Sequence, residues 1–191
     1  MARPKSEDKR RALLASAIRV FAKEGLRAPT SAISKAAGVA EGTLFTYFPT
    51  KDDLVNAVYH EIKLELATAT LSSYPGKEDV RARMQYIWDR FVEWGASHPE
   101  AHAVLRQIEV WPGLRHEPSE VEIALHAELT AVDGSFRGLH LVQDFSPEFV
   151  QAAVDALAQM TIELMRRNPS RSAQYRSAGF KLLWAGLSPG P

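Results

Sequence analysis

The chain has 191 residues, 46% hydrophobic and 24% charged, the composition of a globular protein with enough chain for one large or two small cores. It has no cysteine, which excludes disulfides and thiolate chemistry and fits a reducing, cytoplasmic setting. Its formal net charge is zero, which taken alone argues against a nucleic-acid binder. A charged start with no apolar stretch behind it predicts no signal peptide, and no run of about 18 apolar residues predicts no membrane span.

The zero conceals an asymmetry. Residues 1–50 hold nine basic and four acidic side chains, a net +5, against 14 basic and 19 acidic in the remainder, a net −5. Such a basic head suits a polyanion. Helical spacing begins with Leu13, Leu14, Ala17, Ile18 and Phe21, and Gly25 supplies a stop. Pro29, Thr30 and Ser31 open a short second helix over residues 31–37. A third covers Glu41 to Tyr47 and ends at Pro49. Thr50 can cap a fourth, which starts at Lys51 and continues through Leu54, Val58, Ile62 and Leu66. No strand-like alternation with hairpin signals is present.

Two short helices around Gly38 predict a helix-turn-helix, because a left-handed backbone at the turn suits a residue without Cβ. The third helix would enter the major groove. Glu41 carries two readings: a hydrogen-bond acceptor for a cytosine amino group, or an acid favouring the positive helix start. Lys5, Lys9, Arg10 and Arg11 form a basic arm suited to phosphate contact.

The stretch TSAISKAAGVAEGTLFTYFPTKDDL, residues 30–54, resembles the N-terminal DNA-binding domain of TetR-family regulators. The matching parts are F-x-x-x-G, I-x-x-A-A-G-V, G-T-L-F-x-Y-F and the lysine opening helix four. The resemblance covers roughly residues 6–66. It implies that Gly42, Thr43, Phe45, Thr46 and Tyr47 meet bases and phosphates, and that Lys51, Thr30 and Ser31 touch phosphate. Leu44 and Phe48 match buried positions. Ala40 departs from the family's hydroxyl cap on helix three, and Phe45 from a frequent tyrosine.

Beyond Pro75-Gly76 the sequence predicts five more helices. The fifth carries Val80, Met84, Ile87, Phe91 and Trp94; the sixth starts at His98-Pro99 and ends near Trp111-Pro112-Gly113. The seventh follows Pro118 with Val121, Leu125, Leu129 and Val132, and residues 133–146 read as a loop. The eighth follows Pro147, and the ninth opens at Pro169-Ser170. The predicted fold is all-α: a three-helix head at 1–50 and a helical effector-binding and dimerisation bundle at 51–191.

The resemblance implies a homodimer joined through helices eight and nine, and the apolar stripes of those helices nominate Val150, Val154, Leu157, Thr161, Phe180, Leu183 and Trp184 for the interface. It also implies a pocket for a small-molecule effector among the middle helices. Trp88, Phe91, Trp94 and Trp111 supply aromatic walls, and His102 and His126 polar contacts. A dense core explains the same indoles, and both readings stand. The implied function is a ligand-responsive repressor of a palindromic double-stranded operator. The alternative is a helical ligand-binding or protein-interaction module without operator binding. His60, His98, His102, His116, His126 and His140 form no metal-binding motif, and no nucleophile elbow or phosphate loop is present. The expectation is therefore no enzyme, no metal and no cofactor.

Overall fold

A computed structural model describes residues 3–76, 78–115, 117–136 and 146–187. Among these residues there are nine α-helices and no strand. They are α1 (Arg3–Glu24), α2 (Thr30–Ala36), α3 (Glu41–Tyr47), α4 (Lys51–Leu71), α5 (Val80–Ser97), α6 (Pro99–Ile108), α7 (Glu120–Phe136), α8 (Pro147–Arg167) and α9 (Ser172–Leu187). The all-α expectation holds. His116, His140 and residues 137–145 lie outside the described residues, as do the side chains of Lys5, Leu129 and Val132.

Two differences from the expected elements have local causes. Helix α7 continues through Asp133 and Gly134 to Phe136, where a loop was expected. One helical glycine costs only about 1 kcal/mol, which a continuing backbone ladder can absorb. Pro169 opens a 3-10 turn, Pro169–Arg171, and the α-helix proper begins at Ser172. Both Pro147 and Pro169 occupy first-turn positions, where the missing N–H costs nothing.

The chain packs as two compact units. The first comprises residues 1–65 with 98–119, and the second 66–97 with 120–191. The division at 50/51 expected above falls inside the first unit.

In the first unit, Leu13, Leu14, Ala17 and Phe21 of α1 bury the face their spacing marks. Gly25 ends α1 at φ +80°, its N–H closing on the Phe21 carbonyl at 2.9 Å. Ile33, Leu44, Phe48, Leu54, Val55, Val58 and Ile62 are also buried. Helix α6 packs on α1 with Val104, Leu105 and Ile108 buried.

The second unit is built on α5, α8 and α9. Trp88, Val92, Ala158, Ile162, Met165, Phe180 and Leu183 form its core. The Trp88 indole N–H donates to the Arg176 carbonyl at 3.0 Å, so the ring is buried without an orphaned polar atom. At Gly179 of α9 there is no room for a side chain. A Cβ there would lie 2.5 Å from Thr161 Oγ1 and 2.6 Å from Trp88 Cζ2.

Candidate nucleic-acid interface

Helices α2 and α3 are joined by a turn at Gly38, whose φ is +68°. The turn is closed by backbone bonds: Gly38 N–H to the Lys35 carbonyl at 3.1 Å and Val39 N–H to the Ser34 carbonyl at 3.0 Å. Ser34 is buried and its hydroxyl donates to the Ser31 carbonyl at 3.1 Å, which satisfies it inside α2. Ala40 precedes α3 without a side-chain cap, as its methyl dictates.

Helix α3 divides cleanly by exposure. Leu44 is fully buried and Phe48, just beyond the helix, is 4% exposed; together they anchor it to the core. Glu41, Gly42, Phe45 and Thr46 face outward, while Thr43 and Tyr47 are half-buried on the flank. The Thr46 hydroxyl donates back to the Gly42 carbonyl at 3.0 Å. Tyr47 packs beside Phe48 with ring centroids 6.4 Å apart. The Arg10 guanidinium lies 5.8 Å from the Phe48 ring centroid, and Arg11 pairs with Asp8 at 3.1 Å.

Two residues expected at phosphate have partners within the protein. Thr30 Oγ1 donates to Glu41 Oε1 at 2.7 Å, tying the start of α2 to the start of α3. With its one proton so used, the hydroxyl meets a phosphate only if that bond is exchanged. Lys51 Nζ donates to the Ala28 carbonyl at 2.7 Å. An ammonium has three donors, so this bond leaves two. Partial burial pulls the Lys51 ammonium below the ordinary lysine range, while the neighbouring Asp52 carboxylate opposes that shift. Ser31 is exposed.

Thr50 caps α4 as expected, and sequence reasoning missed the Asp53 that completes the cap. Thr50 and Asp53 form a reciprocal capping box: Thr50 N–H to Asp53 Oδ2 at 3.0 Å, and Asp53 N–H to Thr50 Oγ1 at 3.1 Å. The Thr50 hydroxyl adds a 2.7 Å bond to Asp53 Oδ2. These bonds, with Arg115 nearby, lower the Asp53 carboxyl below its ordinary range. The segment after α6 docks on the same turn. Asn56 Nδ2 donates to the Gly113 carbonyl at 3.0 Å, Arg115 N–H donates to Asn56 Oδ1 at 2.6 Å, and Arg115 Nη2 meets Asp53 Oδ1 at 3.1 Å. The Thr-x-x-Asp spacing was readable in the sequence; the contacts to Gly113 and Arg115, some 60 residues away, leave no local pattern.

The remaining candidates fall as follows. Trp88 is in the core of the second unit, with Phe91 packed against it, and Trp94 is 4% exposed. His126 is exposed on α7. In the first unit, His102 is buried on α6 and Trp111 is half-buried, its indole nitrogen shielded and without a hydrogen-bond partner among the described residues. The seven dimer candidates differ in burial. Thr161, Phe180 and Leu183 are buried; Val154, Leu157 and Trp184 lie against the core; Val150 is half-buried. Phe149, Met160 and Leu182, by contrast, are exposed at 59%, 47% and 61%. An open groove of about 420 Å³ beside Glu93, Met165 and Arg166 contains none of the aromatic candidates. No described helix is long and apolar enough to cross a membrane.

Comparison with known proteins bears on this architecture. The model of bacterial regulatory proteins of the tetR family matches residues 13–58, the segment from mid-α1 into α4. A nucleoid occlusion factor, SlmA, from Glaesserella parasuis is 30% identical over 83 residues, 43% of this chain and 41% of that protein. The match thus spans about two fifths of that relative. A solved structure from Shewanella sp. PV-4, assigned to tetR-family transcription regulators, is 26% identical with a TM-score of 0.74, covering 95% of this chain and 99% of that one. The TetR-like regulator LfrR from Mycobacterium smegmatis, solved with proflavine, is 20% identical with a TM-score of 0.62, covering 96% and 99%.

Proposed function

We propose that this chain, which belongs to the TetR family of transcription regulators, is a repressor that binds a palindromic operator as a homodimer and releases it when a small-molecule effector binds. The observation that carries the reading is the outward face of α3. Its inner face is anchored by Leu44 and Phe48, and Glu41, Gly42, Phe45 and Thr46 are left for the major groove. Lys51 supplies a phosphate contact with the donors that Ala28 leaves unused.

Dimerisation is assigned to α8 and α9, but to their outer strips. Of the seven candidates from spacing, Thr161, Phe180 and Leu183 serve the intrachain core; Val150, Val154, Leu157 and Trp184 are half-buried, and a second copy would meet them beside Phe149 and Met160 of α8 and Leu182 of α9. A two-fold pair presents two recognition helices to successive major grooves. Release is a population shift: the effector must bind the released arrangement more tightly than the DNA-bound one. The docking of Arg115 and the Gly113 carbonyl on Asp53 and Asn56 gives α4 a mechanical link to the segment after α6. An aromatic effector is favoured by the indole-rich middle helices, and proflavine in the LfrR structure is of that kind. Phe91, Trp94 and His126 of the second unit remain candidates for its contacts. We read the chain as non-enzymatic and cytoplasmic.

The test is a gel-shift assay with the DNA upstream of the chain's own gene. The expected result is a discrete, salt-sensitive complex that outcompetes random DNA and is lost when effector is added. Complex formation no better than with random DNA would favour the interaction-module reading instead.

A further inference from the structure

The outward face of α3 combines an acid and an apolar ring, an uncommon pair to present to a polyanion. Glu41 is held by the Thr30 hydroxyl on Oε1, and among the described residues Oε2 has no hydrogen-bond partner. Phosphates offer a carboxylate only repulsion. In the major groove the donors are the amino groups of cytosine and adenine. Adenine's amino group sits beside the N7 acceptor, which repels a carboxylate, whereas cytosine's is flanked by a C–H. A single open oxygen aimed by Thr30 therefore suits cytosine.

Phe45 is one helical turn further on, on the same exposed face, and is 41% exposed. It has no hydroxyl for a phosphate. The apolar group that the major groove offers it is the thymine methyl. Four residues of helix advance about 6 Å, close to two base steps.

Resting on the DNA-binding reading above, we propose that Glu41 accepts a hydrogen bond from a cytosine amino group and Phe45 packs on a thymine methyl within two base pairs of it, in each half of the operator. Thr30 is a positioning residue for Glu41. The arrangement gives base preference to a recognition helix whose other outward residues are Gly42, without a side chain, and Thr46, whose hydroxyl is turned back to Gly42.

The experiment is selection of duplexes from a random library by the full-length chain and its variants, followed by binding to the enriched duplex. The parent should enrich cytosine at one fixed position of each half-site. Glu41→Ala should cut discrimination there about tenfold. Glu41→Gln should move the preferred base to adenine, which a glutamine pairs through N6 and N7. Thr30→Val should weaken the cytosine preference and Thr30→Ser restore it. Replacing the adjacent thymine by uracil should weaken the parent about fourfold, the value of one buried methyl, and leave Phe45→Ala unaffected. A purely structural tie between α2 and α3 would weaken all duplexes equally and leave the base profile unchanged. An unchanged profile in both Glu41 variants overturns the proposal while sparing the DNA-binding reading. Failure of the parent to enrich any duplex overturns both.

Discussion

Helix α3 and helices α8–α9 both carry residues that sequence pattern singled out for contact with another molecule, and several members of the two sets lie oppositely. On α3, Gly42, Phe45 and Thr46 face outward. On α8 and α9, Thr161, Phe180 and Leu183 face inward, around Trp88. The difference has a physical origin. The α3 candidates came from a motif that distinguishes contact positions from anchors such as Leu44 and Phe48. The α8–α9 candidates came from apolar periodicity, which finds a buried face but not what buries it. Burial in one's own core and burial against a second copy leave the same stripe.

Adjacent positions on α9 sharpen the contrast most. Leu183 is 7% exposed and Leu182 is 61% exposed. Leu183→Glu should unfold the second unit, because an unpaired carboxylate is forced into an apolar core. Leu182→Glu should leave the helical circular dichroism intact and convert the proposed homodimer to a monomer by light scattering. Equal behaviour of the two variants would erase the distinction between inner and outer strips.

Next in size is Gly179→Ala. The added methyl meets Thr161 and Trp88 at distances no side chain tolerates. Overpacking of this kind costs about 1–3 kcal/mol, seen as a lower thermal midpoint. A midpoint equal to the parent's would mean that α9 shifts freely on α5 and α8.

In the first unit the expected effects are smaller. Asn56→Ala removes the bonds to the Gly113 carbonyl and the Arg115 N–H. The loss should be about 0.5–1.5 kcal/mol, with faster amide exchange at Arg115 as its signature. Lys51→Ala should weaken binding to all duplexes alike and lower the log–log salt slope by about 0.9. An unchanged slope would confine Lys51 to its Ala28 bond.

The smallest effect is in acid. The Asp53 carboxyl is lowered in the folded chain, so its contribution is fully present above its unfolded value. That contribution fades as pH falls through the folded one, below about pH 4. Asp53→Asn should flatten the acid limb of the stability curve in that range. An unaltered limb would show that Thr50 and Arg115 do not hold the ionised form.

Much of the head was legible because its signals are local. The bounds of α3, Glu41–Tyr47, follow from Pro49 and the glycine turn, and Gly25 and Gly38 adopt the positive φ their places require. The tie of Thr30 to Glu41 and the docking of Arg115 on Asp53 were not legible, since each joins polar residues with no period between them. Trp88 shows the limit from the other side. An indole at helical spacing serves a pocket or a core equally well, and its bond to the Arg176 carbonyl, 88 residues away, is invisible in sequence.

The most direct test of the central claim is an NMR titration of the isotope-labelled chain with its enriched duplex. The outward face of α3 predicts the largest amide shifts at Glu41, Gly42, Phe45 and Thr46, with Phe180 and Leu183 little changed. Shifts concentrated in α8 and α9, with α3 silent, would contradict it.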